Sequence, residues 1–230
     1  MSAKILGQND NHLIASLPKT QRRNFLKLCD RVDLSAGDDL CQTNQNIEYV
    51  YFPETSILCL VSLIRDHVPF GINLIGNEGM LDVVLILGDD FQSFHGATVQ
   101  NSGTALRMKV SQFRHQLLTC SNLRIRLNQY LYYLIKQISQ SLACVHFHNI
   151  EPRLARWLLM TQDRAHSKNF HLTHKLLANM LGVRRSGITI AAGILQEHKL
   201  IAYNRGNISV LDRKGLEAVS CECYLNSVIP

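Results

Sequence analysis

From Arg126 to His148 the chain runs without a glycine or a proline, and its apolar residues recur at a spacing that only an α-helix gathers onto one face. Leu127, Leu131, Leu134, Ile138, Ser141 and Val145 alternate by four and three. That is the heptad seam of a two-stranded coiled coil, interrupted only at Ser141 and widened by Leu142. A long helix is therefore expected over residues 121–150, pairing two copies of the chain as a homodimer through residues 127–145. The plainer alternative is a helix packed on its own strand domain. Asn149-Ile150-Glu151-Pro152 closes the helix, because proline restricts the residue before it and cannot donate inside a helical turn.

The 120 residues before this helix have a different texture. A helical lead-in carries Leu13, Ile14 and Leu17, then Phe25, Leu28 and Val32, and breaks near Pro18. From Asp33 to Val110 short Val-, Ile-, Leu- and Tyr-rich runs are separated by turn signals at Ala36-Gly37-Asp38-Asp39, Phe52-Pro53-Glu54, Gly76-Asn77 and Asn101-Ser102-Gly103. After the last of these, Leu106, Met108 and Val110 alternate with Arg107 and Lys109, as expected of a strand with one wet face. An antiparallel roll or barrel is expected over residues 1–120.

Residues 151–230 read as helices again, and here the charge concentrates. Up to Ile150 there are 13 basic and 12 acidic residues; beyond it there are 11 and 6. A polyanion responds to local charge density, so nucleic acid is the first candidate partner. A helix over about Arg153–Arg164 presents Leu154, Trp157, Leu158 and Thr161 inward. A second opens on Thr173 as its N-cap and ends at Gly182, which can take the positive φ of a sharp turn. A third follows at once over Arg184–Glu197, with Ile188, Ala191, Ala192 and Leu195 available for packing. Helix, glycine turn and helix make a helix-turn-helix, whose second helix lies in the major groove.

Arg184 and Arg185 stand at the start of that second helix, where a guanidinium fork can read guanine and free backbone N–H groups favour a phosphate. Ser186 and Thr189 share the exposed arc. Gly187 weakens the helix, and close approach to DNA is the expected reason. Ala202 to Leu211 then reads as a hairpin wing around Arg205-Gly206-Asn207, with Tyr203 and Arg205 placed to touch the DNA backbone. The expected DNA-binding set is thus Thr173, Arg184, Arg185, Ser186, Thr189, Tyr203 and Arg205.

Other functions find less support. The chain lacks a phosphate-binding Gly-rich loop with lysine, a His-Glu-x-x-His and a Gly-x-Ser-x-Gly, so no enzyme is expected. A roll domain regulating a protein partner rather than DNA is the alternative, disfavoured by the C-terminal charge. No apolar run reaches membrane-spanning length and the first ten residues lack a signal-peptide core, so a cytoplasmic protein with reduced thiols is expected. Among the seven cysteines, Cys144 shares a helix face with His148, while Cys221 and Cys223 look too close and too isolated to make a four-ligand site. No metal and no cofactor are predicted.

The motifs Val50-Tyr51-Phe52-Pro53, Gly76-Asn77-Glu78-Gly79-Met80, Ala155-Arg156-Trp157-Leu158-Leu159, Leu181-Gly182-Val183-Arg184-Arg185 and Cys221-Glu222-Cys223-Tyr224 carry a resemblance to the Crp/Fnr family of transcription regulators, spanning about residues 12–220. The resemblance implies an α+β fold: an N-terminal antiparallel β-roll like a cyclic-nucleotide-binding domain, a long dimerisation helix and a C-terminal winged helix-turn-helix. It also implies double-stranded promoter DNA as partner, with RNA polymerase as a further one. In cyclic-nucleotide-binding members a Gly-Glu pair meets the ribose and an arginine followed by Ser or Thr meets the phosphate. Glu78 fits the first role, but Phe94-His95-Gly96-Ala97-Thr98 offers no arginine for the second, and an anion buried without a positive partner is costly. The expected sensor pocket is therefore built around Glu78, His95 and Thr98 for an effector other than a cyclic nucleotide. Only Cys29 lies near the position of the family's iron–sulfur cysteines. At the recognition helix the family's Arg-Glu pair and later Arg correspond to Arg185, Ser186 and Ile190, so a different target sequence is implied.

Overall fold

The structure is a computed structural model that describes residues 10–63, 65, 68–88 and 92–227. The start of the chain, on which the absence of a signal peptide was read, lies outside the described residues up to Asn9. Two compact units are present. The first comprises the chain up to Leu58 together with Ile75–Tyr133; the second comprises Cys59–Leu74 and the chain from Leu134 onward. No helix of the described residues is long and apolar enough to cross a membrane.

In the first unit, helix α1 (His12–Ala15) is capped by the buried Asn11, whose amide also donates to Pro53 O at 3.0 Å and Gly79 O at 2.8 Å. Helix α2 (Lys19–Leu26) follows Pro18, which ends α1 as the sequence requires. Strands β1 (Asp30–Leu34), β2 (Asp39–Cys41) and β3 (Tyr49–Pro53) lead to β4 (Ile57–Ser62) and β5 (Phe70–Ile75), of which all but Ile57, Leu58 and Ile75 belong to the second unit. Strands β6 (Gly96–Asn101) and β7 (Gly103–Lys109) follow one another through Ser102 but belong to different sheets. β7 lies between β1 and β3, both antiparallel to it, and β2 pairs antiparallel with β6. The expected alternation holds: Leu106, Met108 and Val110 are buried, while Lys109 is exposed and Arg107 half-exposed. Leu106 faces Phe52 across the ladder, and Phe52 meets Phe25 and Phe113 edge-on with centroids 5.4 and 6.2 Å away. Edge-to-face aromatic packing of this kind adds to simple burial.

After α3 (Val110–Thr119), helix α4 runs over Ser121–Phe147. The structure corrects the phase of its seam. Leu123, Leu127, Tyr130, Leu134, Gln137 and Cys144 are buried within the protomer, again at spacings of three, four and seven. Tyr130 donates to Met80 O at 3.3 Å, and Gln137 accepts from Asn73 at 2.8 Å. Leu127 and Leu134 therefore belong to the chain's own core, and Leu131, Ile135, Ile138, Leu142 and Val145 form a second stripe that is half-buried at Leu131 and exposed at the others. The sequence merged two neighbouring stripes because both obey the same period.

In the second unit, α5 (Ile150–Ala165) starts three residues earlier than expected. Pro152 lies in its first turn, where a missing N–H costs nothing because those N–H groups have no intrahelical partner. Leu154, Trp157, Leu158 and Thr161 are buried as expected, but so are Arg153, Ala155, Arg156, Leu159, Met160 and Gln162. α5 is thus a central helix rather than a support with one inward stripe. It packs against α6 (His174–Leu181), α7 (Arg185–Glu197) and α8 (Arg213–Val219). β8 (Asn169–His171), β10 (Asn207–Val210) and β9 (Ile201–Asn204) form a three-stranded antiparallel sheet in that order. β8, with Phe170 alone buried, is too short to announce itself in the sequence.

Candidate nucleic-acid interface

Each end of α6 is fixed by local chemistry. The Thr173 hydroxyl accepts from Leu176 N at 3.2 Å, and Thr173 itself is extended and exposed, an N-cap in the expected place. At the other end Gly182 adopts φ +63°, while Val183 N donates to Ala178 O at 3.0 Å and Gly182 N to Asn179 O at 3.2 Å. This paired closure of the last carbonyls turns the chain sharply enough for α7 to begin at Arg185. A side chain at position 182 would meet the Phe70 ring at 2.8 Å, so space as well as backbone angle calls for glycine.

α7 then presents two faces. Ile188, Ala191, Ala192 and Leu195 are buried, the four packing residues expected from spacing. Arg184, Arg185, Ser186, Thr189, Ile190 and Gly193 are exposed. Arg184 is extended and serves as N-cap without a side-chain capping bond, so the helix start keeps its N–H groups unshielded by its own cap. At the half-buried Gly187 a Cβ would lie 2.7 Å from Cδ1 at the flexible end of Ile150, so α7 seats closely on the first turn of α5 there. Gly193 is different: a Cβ there meets nothing within 4 Å. Gly193→Ala is expected to stabilise the domain by about 1 kcal/mol, read as a higher midpoint in thermal or denaturant unfolding.

One link between recognition helix and wing escaped the sequence. His174 stacks on Tyr203 with ring centroids 4.1 Å apart, its backbone N–H donates to the Tyr203 hydroxyl at 3.2 Å, and its Nδ1 lies 3.0 Å from Thr189 Oγ1. Burial, reinforced by Arg185, lowers the His174 pKa and favours the neutral ring. Thr189 also donates to Arg185 O at 3.1 Å. Tyr203 and Thr189 therefore brace the frame as well as bordering the interface. At the wing tip Arg205 and Gly206 have φ +49° and +90°, the two-residue turn that suits the twist of a hairpin, and Arg205 is exposed.

The expected sensor residues sit in the first unit and do different things. Glu78 folds back on its own turn, accepting from Gly76 N at 3.1 and 3.2 Å. Thr98 stands opposite Asp39 in the β2–β6 ladder. His95 is buried, with Asp82 Oδ1 at 3.6 Å from Nε2 and Cys41 Sγ at 3.9 Å from Nδ1. The expectation that Cys221 and Cys223 are isolated does not hold, because the chain beyond α8 returns them to Cys144 and His148.

Residues 152–219 match the Crp-like helix-turn-helix domain family. A comparison with curated protein sequences gives no match. Among solved structures, FixK2 from Bradyrhizobium japonicum aligns at a TM-score of 0.71 and 13% identity, over 84% of this chain and 98% of that one. The c-di-GMP-responsive global regulator CLP of Xanthomonas campestris aligns at 0.69 and 10%, over 84% and 99%. A Crp/Fnr-family transcriptional regulator of Thermus thermophilus aligns at 0.62 and 18%, over 83% and 98%. At such identities the likeness is one of fold, and it spans nearly the full length of those regulators.

Proposed function

We propose that this chain, whose residues 152–219 are a Crp-like helix-turn-helix domain within a Crp/Fnr-type fold, is a transcription regulator that binds promoter DNA as a homodimer with the Arg184–Glu197 segment in the major groove. The observation that carries the reading is the division of α7: every packing residue is on one face, and Arg184, Arg185, Ser186, Thr189 and Ile190 are together on the other, at the helix start. Arg184 and Arg185 meet base edges or phosphates, Ser186 donates to either, and Ile190 is suited to a thymine methyl. Thr173, Tyr203 and Arg205 flank this surface and anchor the DNA backbone. The exposed stripe of α4 joins two chains, spacing two recognition helices for half-sites about 34 Å apart. The roll serves as the sensor, through Glu78, His95 and Thr98 and for an effector other than a cyclic nucleotide, and the regulator works in the cytoplasm alongside RNA polymerase.

Capture of genomic DNA by the purified protein, followed by mobility shift on the recovered sequence, tests this directly. An enriched, two-fold-symmetric site is expected, with affinity falling steeply as salt rises. Arg184→Ala combined with Arg185→Ala is expected to weaken binding at least tenfold, since each arginine contact to a base is worth about 1–3 kcal/mol. No enriched sequence, together with an unaltered double variant, would refute the reading.

A further inference from the structure

Four potential metal ligands meet where α4 ends. Cys144 is on its last turn and His148 just past it, four residues on and on the same face, with His148 N donating to Cys144 O at 3.1 Å. Cys221 and Cys223 come from the stretch after α8. The three sulfurs and one imidazole nitrogen all lie within 4.8 Å of one another. Cys144 Sγ to Cys221 Sγ is 3.5 Å, and Cys223 Sγ to His148 Nδ1 is 3.6 Å. The sulfur pair is far beyond the disulfide bond length of about 2.05 Å. Around a tetrahedral zinc, with bonds of about 2.3 Å to sulfur and 2.05 Å to nitrogen, two sulfurs stand about 3.8 Å apart and a sulfur and a nitrogen about 3.6 Å. The Cys144–Cys221 and Cys223–His148 pairs already stand at those separations, and the remaining ligand atoms lie within 4.8 Å of one another.

We propose that Cys144, His148, Cys221 and Cys223 form a closed tetrahedral zinc site that fastens the C-terminal tail of the chain to the end of α4. Four protein ligands leave no position for water or substrate, so the role is structural.

The surroundings fit a bound metal in three independent ways. His148 aims Nδ1 at the cluster and places Nε2 3.2 Å from Glu222 Oε2, the carboxylate partner that fixes the ring of a ligating histidine. Gln140 donates to Cys223 Sγ at 3.0 Å, a bond that suits a thiolate better than a thiol. Three thiolates around a divalent ion leave one negative charge in excess, and the guanidinium of Arg156 acts favourably on Cys144 from α5. Binding of a metal displaces the thiol protons, so zinc is held more tightly as pH rises. The tail is held in register by Arg213, which reaches Asp163 at 2.7 Å and the Tyr224 hydroxyl at 2.6 Å, while that hydroxyl donates to Asp163 at 2.8 Å. None of these groups belongs to the DNA-contacting surface, so the site stands or falls separately from the regulatory reading.

The full-length protein, prepared without a histidine tag or added metal, is expected to carry about one zinc per chain by elemental analysis. Cys221→Ser with Cys223→Ser should lower that content at least tenfold. The wild-type chain stripped by a chelator and titrated with Co(II) should show the visible absorption of a tetrahedral cobalt thiolate, bleached by zinc. This second arm needs no variant to fold. Glu222→Ala, at an exposed position, should weaken zinc 10–100-fold against a competing chelator. A wild-type chain with no more zinc than the double variant and no cobalt spectrum would overturn the proposal. So would iron with acid-labile sulfide, or a Cys144–Cys221 disulfide in protein prepared without oxygen.

Discussion

Ile138→Glu combined with Leu142→Glu is expected to make the protein monomeric and to weaken its binding to a two-fold-symmetric promoter site about a thousandfold. Both side chains are exposed in the protomer, Leu142 at 75%, and they lie in the open stripe Leu131–Ile135–Ile138–Leu142–Val145. Its four-three spacing is that of a coiled-coil seam, and two glutamates per chain placed in such a seam face each other without water to screen them. Joining two recognition units raises the affinity for a double site by roughly 10²–10⁴ over either alone, and that factor disappears with the dimer. Light scattering gives the mass and mobility shift gives the affinity. Circular dichroism should be unchanged, because neither residue belongs to the buried face of α4. A variant that remains dimeric would place the contact elsewhere.

The difference between the two stripes of α4 illustrates what the sequence could and could not convey. Period is local: it revealed the helix and the heptad, but it could not say that Leu127 and Leu134 face the chain's own core while Ile138 and Val145 do not, since phase depends on partners distant in sequence. The same boundary runs through the helix-turn-helix. Thr173 and Gly182 were legible because a cap and a left-handed turn are made by neighbours in sequence, and Ile188, Ala191, Ala192 and Leu195 because one face of a helix is a matter of spacing. The close seat of Gly187 was not legible, because the atom that a Cβ there would meet belongs to Ile150. Nor was the stack of His174 on Tyr203, or the meeting of Cys144 with Cys221, whose residues are 29 and 77 apart. Pairs of this kind have no period and no fixed spacing. Only the fold brings them together.

Asp82→Asn is expected to stabilise the roll by up to about 4 kcal/mol at pH 8 and to change little at pH 4. Asp82 is 3% exposed, and neither carboxylate oxygen has a hydrogen-bond partner. Burial raises its pKa from 3.8 to about 7. The neighbours do not relieve the charge. His95 Nε2, at 3.6 Å, belongs to an imidazole whose pKa burial lowers, and the Cys41 thiol on β2 is pushed up to about 11 by burial and then by Asp82 itself. Between pH 4 and 7 the folded chain therefore keeps a proton that the unfolded chain gives up. Stability from this group is complete below about pH 4, falls as pH rises to about 7, and stays low above it. Asparagine matches the carboxyl in shape, carries no charge to desolvate, and tolerates the left-handed backbone of position 82, where φ is +62°. Unfolding followed from pH 4 to pH 8 should show a decline in the wild type that the variant lacks; parallel curves would mean that Asp82 is ionised at little cost. The group that titrates is beside His95, so the same substitution removes from the roll a carboxyl whose charge changes close to neutrality, and an effector recognised through it should bind the variant with a different pH dependence.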